Sequence, residues 1–444
     1  PATLQVALMP FLTLGLALAA FVAFRALTGS AMLGGLSALL LLIQPDFLFV
    51  IERGSHEKLT HTLVLMLLFL LVATLVRRPG PVAALALIAM FYLGAWPLIT
   101  TNSLFASSFI ASLALALAGG LLVAWLGRSG AGESDATRRL VYTVLSCFGL
   151  LFAFIVYVYR PAGYNFGVLQ NVLQQLAVLF LSFEPQANPY AAITGTTGAA
   201  WVAPWVYPVL TAFNWTVIAA AAVTWGWLGR RFLRDGVRAD ERHLLLLWLL
   251  AAAFAIEVLA SVLADLSGSL IGSNLQLRLF PLFMLPGIPL ALVGASALLG
   301  RIPRVWYPSI AAAGAGLLLF FAVVGVLKAT NDPLVSNKWI FFTQSEERAV
   351  AWTSERLEQQ DVWAGFDERL PAMRSIYQVG GSESRTRLVV GSRQSAPSTV
   401  MSDVIARRSV RLGLPPPDVT VRDRVYDNGG AQVFHRVPVT PYQP

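Results

Sequence analysis

Cysteine and charge are both scarce in this chain. One of its 444 residues is a cysteine, Cys147, and it lies inside an apolar run. This scarcity excludes a disulfide framework and a cysteine-based zinc site. Only 13% of the residues are charged whereas 56% are hydrophobic, and the mean hydropathy is +0.66. These values lie outside the usual range of soluble globular proteins and predict a polytopic membrane protein.

Long apolar runs are what the chain has in abundance. A helix needs about 20 apolar residues to cross the hydrocarbon core of a membrane. We predict about ten such helices, at 4–24, 31–51, 59–76, 82–98, 104–126, 140–159, 208–228, 244–263, 279–299 and 307–327. A further segment, 166–182, carries glutamine and asparagine at helical spacing along one side, which favours an interfacial helix over a membrane span.

The basic residues are divided unequally between alternate loops. One set of loops holds 13 of them: Arg25, Arg77, Arg78, Arg128, Arg138, Arg139, Arg230, Arg231, Arg234, Arg238, Arg242, Arg301 and Arg304. The other set holds four: Arg53, Lys58, Arg160 and Arg278. Cytoplasmic loops carry the excess of arginine and lysine, so the first set is predicted to be cytoplasmic, in a multi-pass protein of the plasma membrane. The net charge of +8 is thereby explained by topology, and we expect no nucleic-acid partner.

This topology puts the first residue and the tail after residue 327 on the outer side. No basic segment precedes the first apolar run, as it would in a cleavable signal peptide. We therefore expect an earlier piece of the protein before Pro1, consisting of a helix and an outer loop, although processing would look the same.

The composition changes after residue 328. Residues 346–360 have the pattern of a surface helix, "DVWAGFD" and "RLVVGS" that of short strands, and residues 398–413 that of a helix. "VTVRDRVYDNGGAQVFHR" predicts two strands around a turn. The predicted fold is therefore mainly α, with a transmembrane helical domain at 1–328 and a small extracytoplasmic α/β domain at 329–444.

Residues 51–61, "IERGSHEKLTH", are the most polar stretch between two membrane segments. A zinc-protease helix needs histidines four residues apart, whereas His56 and His61 are five apart and diverge by roughly 140° on a helix. The stretch lies on the predicted outer side. Its charged side chains either line an outward-facing polar cavity or form an ordinary polar loop; with the neighbouring aspartate, the candidates are Asp46, Arg53, His56, Glu57 and Lys58.

Four more polar residues lie at or near the same side. Asn102 ends the fourth helix, and Asn274 and Arg278 begin the ninth. Glu257 lies within the eighth helix, roughly 10 Å from its outer end at 1.5 Å per residue. We expect Glu257 and Arg278 to face each other on antiparallel neighbours, either as a structural pair or as the holder of an anionic head group.

With its helices, outer interfacial segment and tail domain, the chain resembles the C-type (GT-C) superfamily of polytopic membrane glycosyltransferases, in an uncharacterised prokaryotic branch. The segments that carry the resemblance are "RGSHEKLTHTLVLMLLFLL", "SNLQLRLFPLFMLPGIPLAL", "EERAVAWTSERL" with "DVWAGFDERL", and "DRVYDNGGAQVFH". The resemblance implies an inverting transferase that takes a sugar from a polyprenyl-phosphate donor at the outer face. The "WWDYG" motif of oligosaccharyltransferases is absent, so asparagine-linked transfer is not expected.

The resemblance also implies roles for individual residues. Glu57, with His56, would contact a divalent metal ion, Mg or Mn, or the sugar phosphate, and Arg278 would hold the donor phosphate. His56, Glu57 and Asp46 are then the catalytic candidates; Arg53, Lys58, Asn102, Glu257, Asn274 and Arg278 are the substrate-binding candidates. The superfamily's usual catalytic acidic residue lies in the first outer loop, which our topology puts before Pro1.

Two other functions stay open alongside the transferase. A transporter or flippase for lipid or polysaccharide would need broken helices in matching halves, and the sequence offers only Gln44-Pro45-Asp46. A non-catalytic subunit of a membrane assembly would keep the fold without the chemistry. The partners expected are a lipid-linked sugar and membrane lipids, and membrane protein partners are left open.

Overall fold

The computed structural model describes residues 2–45, 47–48, 57–76, 80–127, 174, 177, 181, 203, 205–266, 275–331, 342–357, 360–364, 369–376, 379–381, 385–389, 396–411, 419–420 and 422–436. The chain divides into two compact units. One comprises Ala7–Pro189 and Pro208–Gly325, and the other comprises the remaining residues.

Apolar helices build the first unit. In chain order they are α1 (Ala2–Thr28), α2 (Ala31–Ile43), α3 (Glu57–Leu75), α4 (Pro81–Thr101), α5 (Ser103–Gly127), α6 (Val206–Asp235), α7 (Arg242–Leu266), α8 (Leu275–Leu299) and α9 (Tyr307–Asn331). Eight of these described helices are long and apolar enough to cross a membrane, and α2 is a shorter apolar helix. A mainly helical fold with several helices apolar enough to span a membrane is thus confirmed within the described ranges.

Short connections make consecutive helices antiparallel. Two residues join α1 to α2, Asn102 alone joins α4 to α5, and brief 3₁₀ turns lie between α6 and α7 and between α8 and α9. This arrangement defines an arginine-rich end, where α6 meets α7 and α8 meets α9. The opposite end, where α2 finishes, α3 begins and α4 meets α5, is the predicted outer end.

The second helix is shorter than predicted. It ends at Ile43 rather than at residue 51, because Gln44 precedes Pro45 and adopts an extended backbone with φ −64° and ψ 129°. The Gln44 side chain then accepts a hydrogen bond from the Phe47 amide at 2.7 Å, and the Leu48 amide donates to the Gln44 carbonyl at 2.8 Å. Pro45, Phe47 and Leu48 are again helical, so a new turn begins after the break at Gln44.

The helix α6 is longer than predicted. It continues from the predicted end at residue 228 through the first arginines of the next loop, and it stops before Gly236, whose φ of +73° is in the left-handed region that favours glycine. The predicted helix at 140–159 lies outside the described residues. Of the predicted interfacial segment 166–182, only residues 174, 177 and 181 are described, and all three are helical.

A five-stranded sheet with helices forms the described part of the second unit. In chain order its elements are α10 (Gln344–Arg356), β1 (Asp361–Trp363), α11 (Arg369–Ile376), β2 (Arg387–Val389), β3 (Ser398–Ser402), α12 (Asp403–Arg411), β4 (Arg422–Asp427) and β5 (Ala431–Arg436). The strand order is β2-β1-β3-β5-β4. The strand β1 is parallel to β2 and β3, whereas β5 is antiparallel to β3 and β4.

The strand β3 corrects the prediction of one helix over residues 398–413. Its five residues pair with all of β5 except the last, from Ser398 opposite His435 to Ser402 opposite Ala431. Ser402 then starts α12, because its hydroxyl accepts a hydrogen bond from the Ile405 amide at 3.1 Å. The helix covers only Asp403–Arg411.

A buried ion pair holds the centre of this unit. Glu346 and Arg369 are both fully buried, and Arg369 Nη2 donates to Glu346 Oε1 at 2.7 Å. The same carboxylate accepts from the Ser402 hydroxyl at 2.7 Å and from the Thr343 amide at 3.0 Å. Since the Thr343 hydroxyl accepts from the Glu346 amide at 3.2 Å, the start of α10 is a complete capping box.

We expect Arg369→Met to destabilise the second unit by about 3–5 kcal/mol, because it leaves the Glu346 carboxylate buried without its cation. The control is Asp361→Asn, which breaks the exposed pair with Arg387 and should cost about 1 kcal/mol or less. The measurement is the urea concentration at which protease cleaves the second unit of the full chain in detergent. Equal shifts for the two variants would contradict the prediction.

Candidate functional site

Glu257 is an acidic residue in the middle of the apolar helix α7. Its carboxylate accepts hydrogen bonds from two serines of α5: the Ser112 hydroxyl donates to Oε1 at 2.9 Å, and the Ser108 hydroxyl donates to Oε2. Both serines are buried, and Glu257 is partly buried. Because they are four residues apart on one helix, they point in the same direction and meet both oxygens of one carboxylate.

Small residues on α5 allow this approach. Ser108, Ser112 and Ala116 recur one helical turn apart and are almost fully buried. One turn further on, a Cβ placed on Gly119 would lie 2.9 Å from Leu249 of α7. Small side chains let helix backbones approach closely in membranes, so this face of α5 holds α7 near enough for the serine–carboxylate contacts.

Asp265 joins the end of α7 to the start of α8. Its two carboxylate oxygens accept from the amides of Leu275 and Gln276, each at 2.9 Å, and its side chain is buried. It thereby satisfies two of the amides that a helix start leaves without partners. We call this contact the Asp265 clasp, and it fixes α7 and α8 side by side at the predicted outer end.

The clasp sets the relative depth of two candidate residues. Glu257 lies eight residues before Asp265, or roughly 12 Å along α7, and Arg278 lies three residues after Leu275, or roughly 5 Å along α8. Both therefore lie on the membrane side of the clasp. The pair that we expected between them is not formed: Glu257 is bonded to the serines, and Arg278 is exposed with no carboxylate partner among the described residues.

A second polar group lies where α3 begins. His61 is fully buried between the rings of Phe47 and Phe105, whose centroids are 4.7 and 5.1 Å from its own, both edge-on. Its Nδ1 is 2.8 Å from the carbonyl oxygen of Glu57 one turn earlier, and its Nε2 has no hydrogen-bond partner in the described part of the chain. His61 therefore packs against other elements of the bundle rather than facing an open loop.

Lys58 and Asn102 are both at this end of the bundle, in different roles. Lys58 is 2% exposed, far less than a loop lysine would be. The Asn102 side chain accepts from the Phe105 amide at 3.2 Å and so caps the start of α5. Nearby, Gln44 donates to the Asn214 side chain at 3.3 Å, which ties the break after α2 to α6. Asn102 is therefore engaged as a helix cap in this structure.

Several predicted site residues lie outside the described residues. They are Asp46, Arg53, His56 and Asn274. Glu57 is the first residue of α3 and is partly buried. Within the described ranges no group of three or more histidine, cysteine, aspartate and glutamate side chains gathers as a metal cage would. The metal contact of Glu57 and His56 therefore stays a prediction, and we assign no chemical step to it.

The chain was compared with protein-family models and with curated proteins. No family model matches it, and no curated protein matches it.

Three site residues were missed in the sequence. Ser108 and Ser112 are inconspicuous in an apolar helix, although their spacing of four marks them as one face. Asp265 was not recognisable as a cap, because it lies in the last turn of α7 rather than just before the start of α8. Its actual partners lie ten and eleven residues away, across a loop, and sequence spacing alone does not identify them.

We expect Ser112→Ala to lower the free energy of unfolding of the first unit by about 1–3 kcal/mol, because a partly buried carboxylate loses a donor. Ser261→Ala is the matched control, since this buried serine of α7 donates only to the Val258 carbonyl of its own helix. Thermal unfolding in detergent measures both variants. A loss for Ser261→Ala as large as that for Ser112→Ala would show that the serine–carboxylate bond has no special weight.

Proposed function

We propose that the protein is a membrane glycosyltransferase that takes a sugar from a polyprenyl-phosphate-linked donor at the outer membrane face. One observation supports this most: adjacent antiparallel helices carry a carboxylate and an arginine in the half of the bundle nearer the predicted outer end, and the two do not pair with each other. Opposite charges held apart in this way are available to a ligand that has both a phosphate and sugar hydroxyl groups.

Arg278 is the donor phosphate ligand in this proposal. Its guanidinium is exposed at the start of a membrane helix, and no described carboxylate competes for it. A planar guanidinium binds phosphate through two parallel hydrogen bonds, and its charge stabilises the negative charge that develops on the leaving phosphate. The isoprenoid chain lies along the apolar faces of the helices below.

Glu257 is the proton acceptor in this proposal. An acceptor hydroxyl attacks the anomeric carbon, the new carbon–oxygen bond forms, and the bond from that carbon to the phosphate oxygen breaks with its electron pair leaving on the phosphate. The hydroxyl proton passes to the carboxylate, which Ser108 and Ser112 hold in orientation. Glu57 with His56 keeps the contact to a metal ion or the sugar phosphate that the superfamily resemblance implies, and His56, Glu57 and Asp46 stay the further catalytic candidates.

The transporter reading has its own support. The helix break after α2 is a feature of the discontinuous helices of transporters. Glu257 would then carry a proton or contact a cargo rather than accept a proton in sugar transfer. The two functions differ in whether the donor bond is broken, and that is measurable.

Orientation in the membrane is tested by cysteine labelling, since the chain has a single native cysteine to remove. In a Cys147→Ser background we expect a membrane-impermeant maleimide to label Arg385→Cys of the second unit in intact cells. It should label Asp235→Cys, at the arginine-rich end, only after the cells are permeabilised. Both positions are exposed, so access to each depends on the membrane side. The reverse pattern would put the tail in the cytoplasm and overturn an outer-face reaction.

Activity is tested on protein purified in nanodiscs with a pool of polyprenyl-phosphate-linked [¹⁴C]sugars and an extract of native membranes as acceptor. We expect release of polyprenyl phosphate, a drop of roughly 10²–10⁴-fold in kcat for Glu257→Gln, and a raised KM for Arg278→Gln. The control is Asp235→Asn, which changes an exposed carboxylate at the arginine-rich end of the bundle, away from Glu257 and Arg278. It should leave the rate unchanged.

Two outcomes would count against the transferase. Transfer that survives Glu257→Gln at the wild-type rate would remove the carboxylate from the chemistry. In proteoliposomes, movement of the labelled donor across the bilayer without release of polyprenyl phosphate would favour the transporter instead.

A further inference from the structure

A groove of about 670 Å³ lies at the arginine-rich end, between the last turns of α6 and the first turns of α7. Its lining consists of Trp225, Gly226, Gly229, Arg230, Leu233, Arg234 and Trp248. It is at the other end of the bundle from Glu257 and Arg278, and the proposed reaction does not use it. Its walls combine large apolar surface with two arginines.

The floor of the groove is a fixed pair of tryptophans. The rings of Trp225 and Trp248 stack with centroids 4.9 Å apart and planes 7° apart. The Trp225 indole donates to the Trp248 carbonyl at 3.1 Å, and the Trp248 indole donates to the Trp225 carbonyl at 2.8 Å. Interfacial tryptophans usually direct this polar edge to water and head groups. Here both N–H groups are used within the protein, so the pair presents apolar surface to an occupant.

Two glycines keep the groove open. A Cβ on Gly229 would lie 3.1 Å from the Trp248 ring, so this position lets the tryptophan lie against α6. A Cβ on Gly226 would meet nothing within 4 Å, so the space beside it is empty. Gly226 therefore leaves room for an apolar chain on the open side of the groove.

The rim carries positive charge that the protein does not neutralise. Arg230 is exposed and has no acidic partner among the described residues. Arg234 is 78% exposed in its side chain, and its described partner, the adjacent Asp235, is 4.0 Å away, at the limit of an ion pair. The intervening Arg231 differs, because it pairs with Glu241 and lies over the Trp227 ring. Arg230 and Arg234 are thus the two cations on this rim that an anionic ligand would meet.

We infer that this groove binds an anionic glycerophospholipid, with an acyl chain along the tryptophan floor and the head-group phosphate between Arg230 and Arg234. The order of the residues along α6 matches such a molecule, since the tryptophan and Gly226 lie one to two turns deeper than the arginines. Arginines at a membrane surface attract anionic lipids, and a built apolar floor turns that general attraction into a site.

Native mass spectrometry of the full chain in detergent tests this site with phosphatidylglycerol and phosphatidylcholine of the same acyl chains. We expect phosphatidylglycerol to bind at least roughly tenfold more tightly than phosphatidylcholine, and the double variant Arg230→Gln/Arg234→Gln to remove most of that preference. The double variant Arg301→Gln/Arg304→Gln is the matched control. It removes two exposed arginines from the same end but outside the groove, and it should keep the preference.

The variant Gly226→Leu tests the groove without touching a charge. A Cβ at this position meets nothing within 4 Å and leucine raises helix propensity, so the fold should be kept while the apolar volume is filled. We expect it to weaken phosphatidylglycerol binding roughly tenfold. The inference is overturned if Gly226→Leu binds like the wild type, if the two arginine doubles lose binding equally, or if phosphatidylcholine binds as tightly as phosphatidylglycerol. Competition by millimolar inorganic phosphate as effective as that by phosphatidylglycerol would also overturn it, because the ligand would then be a free anion.

Discussion

The absence of water from the hydrocarbon core is the constraint on which the helical unit depends. A polar group that enters this region must find its partner inside the protein. The threonines do so within their own helices, as Thr74 does on the Leu70 carbonyl at 2.7 Å and Thr224 on the Ala220 carbonyl at 2.8 Å. The Glu257 carboxylate has no hydrogen-bond donor in its own helix among the described contacts, so it is bonded to donors on another helix. The contact of α7 with the small-residue face of α5 follows from that need.

The same constraint explains which parts of the fold the sequence reveals. The cost of burying polar groups in lipid makes spans long and apolar, so most helices are visible from hydropathy alone. The end of α2 is not, because residues 47–51 are as apolar as the helix before them and only the three residues Gln44-Pro45-Asp46 interrupt the run. The strand β3 was missed for a different reason. Its five residues are ambiguous locally, and their state is decided by pairing with β5, more than 30 residues later.

The candidate site also has features that the sequence reveals and features that it does not. Glu257 and Arg278 stand out in the sequence because ionisable residues are rare in apolar helices, and antiparallel topology places both in the same half of the bundle. The direction in which Glu257 points is not in the local pattern, since its donors are 145 and 149 residues away. Oppositely charged residues on neighbouring helices suggest an ion pair. In the structure the Glu257 carboxylate instead accepts hydrogen bonds from two serines on the closely packed face of α5. Sequence therefore identifies the charges, and packing decides their partners.

The position of β5 in the sheet also has a consequence for the order of events during synthesis. It is the last described strand in the chain, yet it lies between β3 and β4 and is the only described strand that joins them. Until residues 431–436 have left the ribosome, β4 has no neighbour and β3 has only its short parallel contact with β1. The antiparallel half of the sheet therefore forms only after the described membrane helices have been made.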